Sequence, residues 1–149
     1  MTITPTARPL AAILALAFAF TACKGKEAES SAATPPVAAV APFRVTTVTL
    51  GNAIDAEKRI SAPTEVFAVG DTIYAVIASD GASPSVTLAA KWTYEDGQVV
   101  DETTQTIAPT GTASTEFHIA KPDGWPTGKY KVVVTANGAL AGSREFEVR

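Results

Sequence analysis

Few side chains in this chain could do chemistry. It holds one cysteine, Cys23, and one histidine, His118. A thiolate nucleophile or a Ser-His-Asp system would have to be built on one of these two. His118 stands between Phe117 and Ile119 in an alternating stretch, which turns its ring outward, away from the core. Nearby serines such as Ser114 occur in no G-x-S-x-G setting. Transition metals want imidazole or thiolate ligands, and His118 is all that follows Cys23. Calcium needs only oxygen, which Asp55, Glu57, Asp80, Asp96, Asp101 and Glu102 could offer. No D-x-D-x-D-G loop spaces them as ligands, however, and acids at turns commonly serve turn formation and solubility. The expectation is a non-enzymatic chain with neither cofactor nor metal.

Two aromatic residues fall off the predicted core faces, Tyr74 and Trp125. A stacking platform for a carbohydrate would need such rings grouped on one surface. Trp125 precedes a proline, where packing at a corner competes with ligand stacking. Lys129 and Lys131 flank Tyr130 on the outward side, a placement that protects sheets from edge pairing.

Cys23 has the most telling setting. Upstream stand Arg8 and then LAAILALAFAF, too short for a comfortable bilayer span and the right length for the apolar part of a secretory leader. Phe20-Thr21-Ala22-Cys23 resembles the lipobox of bacterial lipoproteins, with Phe20 where that family usually has Leu. The resemblance implies cleavage after Ala22, a lipid on the Cys23 thiol, and a mature chain beginning at Cys23. Lys24 at the next position, in place of Asp, implies release to an outer membrane where the cell has one.

The chain has 149 residues, and its leader (1–22) leaves enough for one domain. Formal charge is −3, and all 15 Asp and Glu residues follow Cys23, so nucleic acid is excluded as a natural partner. No second cysteine is present to staple an exported fold, so the core must suffice. With 46% hydrophobic residues, a domain of this size buries enough apolar surface, at about 25 cal/mol per Å², to fold alone. Lys24 to Pro42, rich in Ala, Ser and Pro and without aromatics, reads with Cys23 as a tether over 23–42. As a flexible coil it would span roughly 25 Å.

From Phe43 the pattern becomes that of short strands. These are 43–50, 72–79 with Ile73, Ala75 and Ile77 on one face, and 85–94 with Val86, Leu88, Ala90, Trp92 and Tyr94 on one face. Glu95-Asp96-Gly97-Gln98 supplies a hairpin turn, and the chain returns through QVV and TTQTIA. Strands 114–120, 129–136 and 143–148 follow, with Phe117, Ile119, Phe146 and Val148 inward. Residues 52–65 suit an irregular crossover, a helical turn or an added strand around Lys58-Arg59-Ile60.

About seven antiparallel strands over 43–149 predict an all-β, immunoglobulin-like sandwich. Trp92 sits where such folds bury a tryptophan between the sheets. The run Trp125-Pro126-Thr127-Gly128-Lys129-Tyr130 resembles the tyrosine corner of fibronectin type III domains, which implies a Tyr130 hydroxyl bonded to upstream backbone and a structural role for Gly128 and Trp125. The chain as a whole resembles bacterial surface lipoproteins carrying one such domain, a resemblance that implies fold and address without a shared activity. The reading that follows is a lipid-anchored interaction or structural module of the cell envelope, attached to the membrane and contacting a protein partner. A module binding carbohydrate or cell-wall ligands is the alternative, ahead of an envelope enzyme or inhibitor.

Overall fold

The computed structural model describes residues 41–149; the leader, Cys23 and the tether up to residue 40 lie outside the described residues. Eight strands follow in order: β1 Arg44–Gly51, β2 Val66–Phe67, β3 Ile73–Asp80, β4 Val86–Tyr94, β5 Gln98–Ile107, β6 Ala113–Ile119, β7 Gly128–Ala136 and β8 Ala139–Val148. They form a three-stranded sheet ordered β1-β3-β6 and a five-stranded sheet ordered β2-β8-β7-β4-β5. All pairings are antiparallel except β2 with β8. Strands adjacent in sequence repeatedly change sheets, which gives the Greek-key order of an immunoglobulin-like sandwich.

Alternation dictates what lies between the sheets. Ile73, Ala75 and Ile77 of β3 face Val86, Leu88, Ala90 and Trp92 of β4 and Val132 and Val134 of β7, all buried. Phe67, Phe117, Tyr130, Phe146 and Val148 complete the layer. Trp92 lies in its middle with no exposed surface, its ring edge-on to Phe146 at 5.9 Å. Its Nε1 is buried without a hydrogen-bond partner, so Trp92 holds the sheets together by volume and dispersion alone.

Three features depart from the sequence expectation. β8 begins at Ala139 instead of 143, because Asn137 and Gly138 both take positive φ (50° and 81°) and form a two-residue hairpin turn, with a register shift at Val134/Thr135. Val66 and Phe67 add a strand too short to show a period of its own, held by parallel pairing to Glu147 and Val148. Finally, β7 lies between β8 and β4, so Lys129 and Lys131 guard no edge; they stand on the outer face of a central strand, opposite Glu147 and Glu145. Residues 52–65 form an irregular crossover with one isolated bridge, Ile54 to Ile60.

Candidate functional site

The chain enters the sandwich where Pro42 bridges Ala82 and the amide of Ala82 donates to Ala41. Strand directions put the β7–β8 turn at this pole, where Asn137 exchanges hydrogen bonds with Thr87. The β4–β5 turn, the segment 120–127 and the C-terminus lie at the opposite pole.

That far pole is organised by aromatic residues. The Tyr130 hydroxyl donates to the Pro126 carbonyl at 2.8 Å, four residues upstream, which is the geometry of a tyrosine corner. Tyr130 stacks on Phe146 at 5.3 Å and lies 4.8 Å from Tyr94, whose hydroxyl donates to Thr127 O. Trp125 is buried edge-on against Tyr130, and its Nε1 donates to Asp71 O at 2.8 Å. The indole therefore closes the end of the core, and little of its ring is left open to the neighbouring concavity. Gly128 has φ 146°, and a Cβ there would collide with Glu95 Oε1 and the Tyr94 ring. Burial, and then the neighbouring Tyr94 and Glu95, raise the Tyr130 phenol above its ordinary value of 10.0. An exposed concavity of about 510 Å³ lies over this corner, edged by Glu65, Glu95 and Glu145 with Lys129 and Lys131.

His118 points outward from β6, with its Nδ1 on the Glu116 carboxylate and its ring 5.4 Å from Tyr74. Ser114 is four residues along the same strand, roughly 13 Å away at 3.3 Å per residue, far beyond proton-transfer reach. The ion-paired acidic residues are engaged by separate cations, except that Asp55 and Glu57 share Arg59. Asp55 accepts the amides of Glu57 and Arg59, Asp80 pairs with Arg44 at 3.1 Å, and Glu102 lies 3.9 Å from Lys91. The backbone amide of Arg59, ahead of its guanidinium, lowers the Asp55 pKa below its ordinary 3.8. Among the described residues, no three His, Cys, Asp or Glu side chains gather as a metal site.

One feature went unseen in the sequence: the free edge of β5. This ten-residue strand has β4 as its one neighbour among the described residues, and seven of its residues from Gln98 onward are exposed in succession. Two short apolar-and-threonine runs, QVV and TTQTI, were visible; which strand would end the sheet was not, because strand order follows from long-range pairing.

No family model and no curated protein matches the chain. Solved structures do resemble it. An immunoglobulin-like protein from Pseudomonas aeruginosa is 19% identical with a TM-score of 0.49, over 74% of this chain and 99% of that one. An alkylpurine DNA glycosylase from Pseudomonas fluorescens, bound to DNA containing an abasic site analog, is 17% identical with a TM-score of 0.48 over 73% of this chain. A β-glucosidase from Listeria innocua in complex with glucose is 12% identical with a TM-score of 0.46 over 71%. This chain spans 31% of the glycosylase and 16% of the glucosidase, and the likeness concerns fold alone.

Proposed function

We propose that this chain is a lipid-anchored, non-catalytic interaction module of the bacterial envelope, tethered through Cys23 and displaying its immunoglobulin-like sandwich to a protein partner. One observation favours it over a glycan-binding module. Of the aromatic residues from Phe43 onward, six are buried, Phe43, Tyr74 and Tyr94 are half-buried, and none is exposed. Carbohydrate recognition by stacking would want at least two open rings on one face, whereas these rings are spent on core and corner, apart from Tyr74, which packs half-buried against His118 on the outer face. A partner would instead meet polar strand and loop surfaces.

Crosslinking of the intact protein in its own envelope, beside a glycan-binding screen of the same preparation, tests this. One defined protein crosslinked to residues of the sandwich, with no glycan retained, is the expected result. Saturable glycan binding without a protein crosslink would replace the proposal by the carbohydrate-binding alternative.

A further inference from the structure

The four sheet edges are treated very differently. β2 is two residues long. β1 is interrupted between Val45 and Thr47, where the Thr46 hydroxyl donates to Ala78 O. On β6, the Glu116 carbonyl is capped by Gln105 Nε2 at 2.7 Å. β5 has only one irregularity, at Trp92/Thr93, where Val100 is the extra residue between Val99 and Asp101. Beyond it, Asp101 to Ile107 runs in unbroken register against Trp92 to Val86, seven residues long. It contains no Pro, Lys or Arg, the residues that usually blunt an edge, and it is rich in threonine. One side of such a strand necessarily leaves backbone donors and acceptors unpaired by its sheet.

Charge selects the occupant. Between Trp92 and Ala120 stand Glu95, Asp96, Asp101, Glu102 and Glu116, without one Lys or Arg; Lys121, which follows, lines one concavity with Asp101 and Asp123, so the edge keeps an acidic excess. Lys91, just before this stretch, reaches Glu102 only at 3.9 Å with both side chains about half exposed. A second copy of the chain would bring the same acidic sign to the edge, whereas a basic strand would complement it. We propose that the β5 edge at Asp101–Ile107 accepts an extended, Lys- or Arg-bearing segment of a partner protein as an added strand. Backbone pairing gives such a contact its affinity, and basic side chains on the face of Asp101 or on that of Glu102 give it its sign. The proposal rests on the interaction-module reading and names the surface that reading leaves open.

Hydrogen exchange on the full chain in detergent, with an acetylated Lys-Val-Lys-Val-Lys-Thr-Val amide peptide as probe, tests it. Exchange should slow in 98–107 and nowhere else to a comparable degree. A peptide with Glu at the three Lys positions should bind roughly threefold to tenfold more weakly, the exposed ion pair with whichever of Asp101 and Glu102 shares the lysine face being replaced by a like-charge contact. Thr103→Pro and Thr104→Pro probe alternate residues. One removes an amide bonded to β4, the other an amide of the free edge, and the latter variant should keep its melting temperature and lose the peptide. Should both prolines unfold the domain, the double variant Asp101→Lys, Glu102→Lys in place of the wild type should invert the preference between the two peptides. Protection outside 98–107, equal binding of both peptides, or concentration-dependent protection of 101–107 without peptide, the mark of a second copy, would each overturn the proposal. A native partner crosslinked to another face would do so too, while leaving the module reading standing; failure to bind any partner defeats that reading.

Discussion

Trp92 and Tyr130 show how a residue type fixes its own role. Trp92 is fully enclosed and makes no hydrogen bond through its indole, so Trp92→Ala should destabilise by about 3–5 kcal/mol through lost burial and the cavity left behind. Chemical denaturation measures this, and a loss below about 1 kcal/mol would contradict the packing described. Tyr130→Phe removes one bond to the Pro126 carbonyl and should cost about 0.5–1.5 kcal/mol with partner binding intact. Its raised phenol pKa adds a pH signature. The folded state keeps its proton where the unfolded chain, with an ordinary value of 10.0, begins to lose it. Tyr130 thus favours folding fully below pH 10, and that contribution fades as pH rises through the folded-state pKa. Melting curves from pH 8 to 11 should fall more steeply for wild type than for Tyr130→Phe. Both residues were legible in the sequence, because alternation along one strand decides facing and a Gly-Lys-Tyr run after a proline marks a corner. The unpaired Trp92 Nε1 was not, since it depends on atoms from strands far apart in the chain.

Elements were legible where a local period ran long enough. β3, β4, β6 and β7 fall within a residue or two of the stretches their alternation marks, because five or more residues repeat with a period of two. β8 looked short because Ala139-Leu140-Ala141-Gly142 carries no β-branched residue; the Asn137-Gly138 turn pairs that segment with the end of β7. Asn137 has positive φ, and its side chain accepts the Thr87 amide at 2.9 Å. Asn137→Ala should therefore cost about 1–2 kcal/mol from left-handed strain and the lost bond, whereas Asn137→Gly should cost less, an order that thermal melts can check. Sheet order is not a local property. The lysines of β7 looked like edge protection until β7 proved central, and the unprotected edge turned out to be β5, whose threonines read equally well as an interior strand with a solvent face.

For the whole molecule, one core runs between the two sheets, so the proposed lipid at Cys23 is not needed to explain how the sandwich folds. The sequence could give the sandwich because hydrophobic alternation and turns encode it. It does not identify the proposed partner, because an exposed edge strand leaves only its sign and length in the residues. Cys23 carries the remaining expectation. Each buried CH₂ of an acyl chain contributes about 0.8 kcal/mol, so one chain binds reversibly while two or more hold a protein on the membrane. Intact-mass measurement after detergent extraction should show a chain beginning at Cys23 with lipid added. On the anchored reading, Cys23→Ser should shift the protein to the soluble fraction with its melting temperature within a few degrees of the lipidated form, because the core residues from Val48 to Val148 pack against one another. An unmodified Cys23 in a soluble wild-type product would end the anchored reading. A Cys23→Ser protein that is soluble but unfolded would show instead that the membrane, and not the core alone, sustains the sandwich.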